Sequence, residues 1–255
     1  MKEKIDVIVL TKDSEEILKK CINSIYENIP VNNLIVVDGV SRDNTLDIIQ
    51  EYSDEHKNVK IFKDNGTRAT ARQIGIKNVE TEYFAFVDSD VILCKDWFEK
   101  ASRHVDDSTG AVWGVNIDVI PGLKSKLFLR LWERVAKETF KLRGGMHDTL
   151  ILSDAVKDIT IPKDLHFYED AYITKWITKK GYRLAIPDDL YCLHYRPQSD
   201  WTLKESIKFA SADIRYGLFH FHALKYSLLY PFFTFYWFLQ MVEKSLGGKY
   251  EFESC

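Results

Sequence analysis

The chain has 255 residues, of which 45% are hydrophobic and 29% charged, values typical of a globular protein with one large α/β domain or one domain and an appendage. Its formal net charge of -3 argues against a nucleic-acid partner, because such partners usually require a strongly basic surface. The four cysteines are scattered without a C-x-x-C spacing, which predicts neither a zinc site nor a disulfide framework and favours a cytoplasmic location.

The first 90 residues alternate between short apolar runs and stretches with helical periodicity. The first run, residues 5–10, follows the N-terminus without a basic-then-apolar leader, so we expect no secretory signal. Asp13 and Glu16 then have the spacing of a helix capping box. Further strands are expected at residues 34–38, 59–62 and 84–88, each preceded by a helix. This alternation predicts a parallel β-sheet with right-handed crossovers.

Two carboxylates, Asp88 and Asp90, stand where the fourth apolar run ends. Ligands of open α/β sheets bind at the carboxyl ends of the strands. Two like charges beside an apolar strand are most easily kept ionised by an oxygen-seeking cation such as Mg2+ or Mn2+. By itself, Asp-Ser-Asp is more typical of a solvated turn than of a metal site, so the surrounding sequence has to decide between the two interpretations.

The other predicted strand ends are acidic rather than glycine-rich. Asp38 ends the second run, and the sequence contains neither G-x-G-x-x-G nor G-x-x-x-x-G-K-[ST], the loops of dinucleotide-binding and P-loop proteins. Carboxylates at strand ends can hydrogen-bond ribose hydroxyls or a base N–H, and can hold a metal ion against a diphosphate. The pattern therefore favours a nucleotide site that uses acids and a cation.

Residues 36–45 read VVDGVSRDNT and resemble the V-V-D-D-G-S-x-D-x-T stretch of glycosyltransferase family 2, an inverting group with the GT-A fold. The similarity covers about residues 4–197, with one departure at Gly39 and Val40, where the family usually has Asp and Gly. The other matching elements follow in the family's order: the first strand with Thr11, residues 65–75 with Arg72, residues 82–90, Glu169 with Asp170, residues 181–183, and His194.

The resemblance implies an α/β fold for residues 1–198, with a GT-A-type, mostly parallel nucleotide-binding sheet flanked by helices. It implies a metal-dependent, inverting transfer of a sugar from a nucleoside diphosphate sugar, with a UDP-sugar favoured and a GDP-sugar as the alternative. Asp90 would be the main ligand of Mn2+ or Mg2+, Asp88 would reach the metal or the ribose, and His194 would complete the metal shell. The implied donor-binding residues are Thr11, Asp13, Asp38, Arg72 and Asp88.

An inverting transfer also needs a base that takes the proton of the acceptor hydroxyl as it attacks the anomeric carbon. The family pattern assigns this base to Asp170 and gives Glu169 a supporting or acceptor-binding role. Acids in the first turn of a helix also stabilise its N-terminus, so capping is the competing interpretation. Gly145, His147 and Asp148 are further candidates for the acceptor side, although a plain turn would have the same composition.

Two stretches raise the question of a membrane. Residues 124–143 have a basic amphipathic pattern, typical of a surface helix and also of a helix on an anionic membrane. Residues 226–242 carry no charge and are rich in aromatic side chains, but Pro231 interrupts a run that is short for a span. For the helical extension 199–255, three interpretations stay open: an interfacial helix, a core or homodimer helix, and a true span. The first would place the protein at the inner face of the cell membrane, near a glycan or lipid-linked acceptor.

Two rival functions remain. A sugar-phosphate nucleotidyltransferase has a related fold and also uses carboxylates and Mg2+, but it would need a glycine-rich basic loop after the first strand, and residues 11–14 do not supply one. An inactive, membrane-associated nucleotide-sugar-binding protein is the other alternative. The presence of Asp88, Asp90 and Asp170 counts against it.

Overall fold

The computed structural model describes residues 3–118, 145–165, 167–195 and 215–216. The described part contains these strands: β1 (Ile5–Thr11), β2 (Val31–Asp38), β3 (Val59–Lys63), β4 (Tyr83–Asp88), β5 (Val91–Leu93), β6 (Thr109–Trp113), β7 (Val115–Asp118), β8 (Asp148–Leu152), β9 (Arg183–Ala185) and β10 (Tyr191–His194). Its helices are α1 (Leu18–Asn28), α2 (Thr45–Glu55), α3 (Arg68–Lys77), α4 (Trp97–Ser102), α5 (Ser153–Val156) and α6 (Glu169–Lys179).

A seven-stranded sheet with the order β3-β2-β1-β4-β8-β6-β9 forms the centre of the fold. β1 pairs in parallel with β2 and β4, and β2 pairs in parallel with β3, so the expected alternation of strands and helices is confirmed. β8 runs antiparallel to both β4 and β6, which makes the sheet mostly rather than wholly parallel. In this register Thr11 lies opposite Asp38, and Leu10 lies opposite Asp88. The carboxyl ends of β1, β2 and β4 therefore meet at one edge.

Helices cover both faces of this sheet, as the fold class requires. Buried side chains of α1, α2 and α4 pack on one face, and those of α3, α5 and α6 pack on the other. The central strands β1, β2 and β4 are buried on both sides, which explains their nearly unbroken apolar sequences. The predicted α/β class with a mostly parallel sheet flanked by helices is confirmed for the described residues.

A second sheet of three strands, with the order β5-β10-β7, lies beside the ends of the large one. β10 runs antiparallel to β5 and pairs His194 with Val91, directly after the Asp-Ser-Asp sequence. The Tyr195 amide N–H donates to the Asp90 carbonyl oxygen at 2.8 Å. This small sheet carries the last strand of the domain back to Asp90.

The apolar sequence of residues 110–115 predicts a single strand, but this stretch forms parts of two strands, β6 and β7, which belong to different sheets. The chain changes sheets at Gly114, where the Asp148 carboxylate lies so close that a Cβ would collide with it. The prediction of one continuous strand was wrong because an apolar run does not reveal a close approach by a residue distant in sequence.

The capping box expected at Asp13 and Glu16 is also wrong. Helix α1 begins at Leu18, and its N-cap residue, Ile17, makes no side-chain hydrogen bond to the helix. The Asp13 carboxylate instead accepts a hydrogen bond from the Arg42 amide N–H at 2.8 Å. A capping box does occur at the start of α3, where Thr67 and Thr70 satisfy each other's amide groups.

The basic stretch 124–143 and the aromatic stretch 226–242 lie outside the described residues, as does most of the extension 199–255. Within the part of the chain that the structure describes, no helix combines the length and the apolar character needed to cross a bilayer.

Candidate active site

Asp38 is the best-anchored acid at the sheet edge. Its side chain is fully buried, and it accepts hydrogen bonds from the Thr11 hydroxyl at 2.8 Å, from the Ser41 amide N–H at 2.9 Å and from the Ser41 hydroxyl at 2.5 Å. Three donors satisfy most of the acceptor capacity of a carboxylate and fix its orientation. Thr11 and Asp38 are therefore brought together as predicted, and Ser41 joins them although the sequence analysis gave it no role.

The loop after β2 is tied to the loop after β1. Asp13 is exposed and has a positive φ of 48°, and its amide N–H donates to the Ser41 hydroxyl at 3.0 Å. Val40 also has a positive φ, 62°, and its side chain is 46% exposed. The hydroxyl groups of Ser14 and Ser89 lie 2.9 Å apart and link the first loop to the Asp-Ser-Asp turn. Both loops therefore form one rim around the strand ends.

Asp90 meets His194 at the other side of this edge. The Nε2 atom of His194 lies 3.1 Å from Oδ2 of Asp90, and the histidine is buried to all but 8%. Two ligands of one octahedral cation with bonds of about 2.1 Å stand about 3 Å apart when they are adjacent. The pair thus has the donor types and the spacing that Mn2+ or Mg2+ accepts, and the neighbouring Asp88 carboxylate is 32% exposed on the same turn.

Arg72 lies between two carboxylates rather than at the surface. Its Nη2 atom is 3.1 Å from Oδ1 of Asp88, and its Nε atom is 3.1 Å from Oε1 of Glu169. The guanidinium carbon also lies 4.7 Å from the centre of the Phe86 ring. Burial alone would lower the pKa of Arg72, but the carboxylates around it, led by Asp88, raise this pKa above its usual value.

Glu169 and Asp170 open helix α6 and are both nearly buried, with 4% and 9% of their surface exposed. Burial raises the pKa of the Glu169 carboxyl above its usual value, and the charge of Arg72 opposes this shift. Oδ1 of Asp170 accepts a hydrogen bond from the Ala171 amide N–H at 2.8 Å. The preceding residue, Tyr168, has a φ of 64° and turns the chain into the helix. The acid pair is thus a fixed, buried feature of the helix N-terminus.

The loop that contains Gly145, His147 and Asp148 lies against the metal side of the site. The His147 carbonyl oxygen accepts from the Asp88 amide N–H at 2.9 Å, and the rings of His147 and His194 stand edge to face with centres 6.2 Å apart. Asp148 is fully buried, with Oδ1 at 2.8 Å from Nδ1 of His147. The Gly145 carbonyl oxygen accepts from the Thr149 hydroxyl at 2.7 Å. The loop is therefore held in place next to Asp88.

Two residues that the sequence analysis did not consider complete this corner. The Trp97 indole N–H donates to Oδ2 of Asp148 at 2.9 Å. The thiol of Cys192, one ring nitrogen of His147 and one oxygen of Asp148 all lie within 4.8 Å of one another. Burial raises the pKa of the Cys192 thiol well above its usual value. No local sequence pattern could have found this cluster, since its members come from three separate segments.

Comparison with known proteins decides which family this geometry belongs to. Residues 6–153, more than half of the chain, match the sequence profile described as Glycosyl transferase family 2. The chain belongs to glycosyl transferase family 2. The resemblance inferred from residues 36–45 and the later motifs is thereby confirmed. Membership of this family favours sugar transfer over the nucleotidyltransferase interpretation.

Two curated proteins with similar sequences carry names that refer to teichoic acid and to poly(ribitol-phosphate). The chain is 28% identical over 205 residues to the minor teichoic acid biosynthesis protein GgaB of Bacillus subtilis, a match that covers 76% of this chain and 22% of GgaB. It is 25% identical over 197 residues to the poly(ribitol-phosphate) beta-N-acetylglucosaminyltransferase TarS of Staphylococcus aureus, covering 73% of this chain and 34% of TarS. The chain therefore spans about a fifth of the length of GgaB and about a third of that of TarS.

Solved structures of other proteins share the fold. TarS in complex with UDP superposes with a TM-score of 0.56 and 21% identity, covering 75% of this chain and 60% of the other. The mannosyltransferase PcManGT from Pyrobaculum calidifontis, in complex with GDP-Man and Mn2+, superposes with a TM-score of 0.62 and 19% identity, covering 78% and 59%. At these identities the likeness establishes the architecture alone.

The predicted family 2 site residues therefore fall into three connected groups at one edge of the sheet. Thr11, Asp13 and Asp38 form the first group, Asp90 and His194 the second, and Glu169 and Asp170 the third. Arg72 and Asp88 connect the second group to the third. Gly145, His147 and Asp148 border the second group. The roles assigned to these residues remain predictions.

Proposed function

We propose that this protein transfers a sugar from a nucleoside diphosphate sugar to a hydroxyl group of a glycan or lipid-linked acceptor, with inversion at the anomeric carbon. One observation carries the proposal: an anchored acid suited to a nucleotide, a carboxylate–imidazole pair suited to a cation, and a buried acid pair at a helix start all meet at one sheet edge. The ligands named for solved structures with the same fold, UDP, UDP-GlcNAc and GDP-Man, support a nucleotide-sugar substrate, and we favour a UDP-sugar.

The base and ribose of the donor are proposed to lie against the rim formed by the loops after β1 and β2. Asp38 and Thr11 are already held by hydrogen bonds, so they can present fixed polar groups without losing side-chain entropy when the donor binds. Asp13 supplies an exposed carboxylate at the outer side of the same rim. The free acceptor capacity of these carboxylates suits ribose hydroxyls and a base N–H.

Asp90, His194 and Asp88 are proposed to hold Mn2+ or Mg2+. Carboxylate oxygens with one imidazole form an acceptable ligand set for either ion, and the spacing of Asp90 and His194 fits adjacent positions on one cation. When bound, such a cation supplies positive charge that stabilises the departing diphosphate. The complex of a family relative with Mn2+ supports the choice of a divalent cation.

Asp170 is proposed to act as the base. Its carboxylate would take the proton of the acceptor hydroxyl while that oxygen attacks the anomeric carbon from the face opposite the diphosphate, so the new bond inverts the configuration. The hydrogen bond from the Ala171 amide N–H to Oδ1 holds the orientation of this carboxylate at the helix start. The neighbouring acid, Glu169, supports this turn through its ion pair with Arg72.

The acceptor is proposed to approach from the side of His147 and of the first turn of α6. Relatives whose names refer to teichoic acid and poly(ribitol-phosphate) make a hydroxyl of a cell-envelope polymer the acceptor class to test first. Contact with the inner face of the membrane and a homodimer through the extension 199–255 remain part of this proposal.

The proposal is tested with a panel of UDP- and GDP-sugars, Mn2+ or Mg2+ and polyol-phosphate acceptors, by following the release of nucleoside diphosphate and the glycosylated product. Asp170→Asn should retain donor binding and lower the transfer rate by roughly 100-fold or more, because the amide cannot take the proton. Asp47→Asn, which changes an exposed acid in the first turn of α2, is the matched control and should transfer normally. Normal transfer by Asp170→Asn would overturn the assignment of the base.

A further inference from the structure

We propose that Arg72 is a positioning residue that couples the metal side of the site to the turn that carries the base, and that it does not bind the diphosphate of the donor. This inference rests on the proposed function, because it assigns a task to Arg72 within that site. The family resemblance implies that Arg72 is a donor-binding residue near the diphosphate. Its contacts assign it a different place, between Asp88 at the end of β4 and Glu169 at the start of α6.

The guanidinium of Arg72 is shared between two carboxylates. Its Nη2 and Nε atoms, the two donors on one edge of the planar group, each hold a different carboxylate at 3.1 Å. Asp88 and Glu169 are 81 residues apart in sequence and sit on different elements, so this single side chain joins them. The remaining nitrogen, Nη1, is buried and has no hydrogen-bond partner among the described residues. Two of the three nitrogens are thus committed to holding carboxylates.

The burial and the charge of Arg72 also differ from those expected of a residue that binds the donor. The Arg72 side chain is 5% exposed, as is that of Glu169, whereas Asp88 is 32% exposed. The positive charge of Arg72 is already paired with the two carboxylates at 3.1 Å, so little of it is left to attract a diphosphate. The exposed member of the group is the one that can face a cation or ribose, and Arg72 lies behind it. Its position is that of a support, not of a ligand to the donor.

Helix α3, which carries Arg72, packs closely on the sheet. A Cβ at Gly75 would lie 2.6 Å from Cγ2 of Ile8, so α3 packs closely on β1 at the next turn of the helix. The guanidinium also packs over the Phe86 ring of β4. Arg72 is therefore fixed on the sheet from two sides. A fixed guanidinium of this kind can hold the first turn of α6, with Asp170, at a constant distance from Asp88.

The test compares Arg72→Lys with Arg68→Lys, an exposed arginine one turn earlier on the same helix. Lysine keeps the charge but offers a single ammonium group, which cannot hold two separate carboxylates in the geometry of the guanidinium. We expect Arg72→Lys to lower kcat for transfer by roughly 10- to 100-fold, since small misplacements of a reacting group have effects of this size. The dissociation constant of the donor with Mn2+, measured by calorimetry, should change by less than about threefold. Arg68→Lys should alter neither quantity.

A double-mutant cycle and hydrogen exchange complete the test. If Arg72 acts through Glu169, the variant with both Arg72→Lys and Glu169→Gln should be no slower than the slower single variant, whereas multiplied losses would overturn the proposal. Amide hydrogens of residues 170–173 should exchange faster in Arg72→Lys while those of β1 keep their protection. Unchanged exchange in α6 would contradict the proposal even if no sugar donor were found.

The failures of the two proposals can be told apart. A wild-type protein that binds no nucleotide sugar would refute the proposed function, whereas the exchange experiment would still decide the role of Arg72. A wild-type enzyme that is active, with an Arg72→Lys variant that loses donor affinity tenfold at unchanged kcat, would make Arg72 a donor ligand and overturn this inference alone. Equal loss of donor affinity, rate and thermal stability would also overturn it, because it would indicate a general structural role.

Discussion

Asp6 and Asp38 show why the same residue type in the same kind of strand has to be judged by its place in the fold. Both are fully buried acids on adjacent central strands. Asp6 lies near the amino end of β1, where its carboxylate accepts from the Asn32 and Asn33 side chains at 2.8 and 2.9 Å and from the Glu80 amide N–H at 2.6 Å. Asp38 lies at the carboxyl end of β2, where ligands of such sheets bind. The first acid is a structural anchor, and the second belongs to the proposed site.

The anchoring role of Asp6 gives a stability prediction. Asp6→Ala should lower the free energy of unfolding by about 3 kcal/mol, because several half-buried or exposed donors lose the buried carboxylate that accepts their hydrogen bonds. Urea unfolding measures this loss, and donor binding by the folded fraction should stay at the wild-type value. Asp54→Ala, at an exposed position on α2, is the control. A change below about 0.5 kcal/mol would show that the hydrogen bonds around Asp6 add little.

At the scale of elements, the helix–strand alternation and the meeting of the first four strand ends followed from hydrophobic periodicity. The sequence could not predict that β8 inserts antiparallel between β4 and β6, because its pairing partners are distant in the chain. Nor could it predict that Gly114 ends β6, since the reason is the Asp148 carboxylate. For the site, strand ends and motifs identified the acids, but the partners of Arg72 come from β4 and α6 and had no local signal.

The loop after β2 carries a conformation that its sequence does not favour. Val40 has a φ of 62°, a region that costs an L-residue about 1–2 kcal/mol and is especially unfavourable for β-branched side chains. The family usually has glycine at this position. Val40→Gly should therefore raise the free energy of unfolding by roughly 0.5–1 kcal/mol, after allowing for the greater freedom of glycine in the unfolded chain.

Chemical denaturation of Val40→Gly and Val40→Ala tests this prediction. Alanine removes most of the exposed side chain but keeps the unfavourable backbone region, so its gain should be clearly smaller than that of glycine. Equal effects of the two variants would indicate that the side chain, not the backbone conformation, determines the stability of this loop.

At the scale of the whole molecule, the two sheets have separate tasks. The large sheet brings Thr11, Asp38 and Asp88 to one edge, and the small sheet brings His194 to Asp90. The described residues of the C-terminal extension contact the same side of the protein as α6: the Tyr216 hydroxyl donates to Oδ1 of Asp164 at 2.7 Å, and Nη1 of Arg215 lies 2.5 Å from Oδ2. The site is thus assembled from segments spread over nearly 190 residues, which is why composition alone said little about it.

The central claim is that Asp90 and a divalent cation together hold a nucleoside diphosphate sugar at this edge. Calorimetric titration of UDP-sugars and GDP-mannose into the wild-type protein with Mn2+, and again after chelation of the metal, tests it most directly, with Asp90→Ala and the exposed control Asp54→Ala measured alongside. We expect one class of donor to bind only with the metal, with at least tenfold weaker binding to Asp90→Ala and unchanged binding to Asp54→Ala. Donor binding that is equally tight without metal, or in Asp90→Ala, would contradict the account.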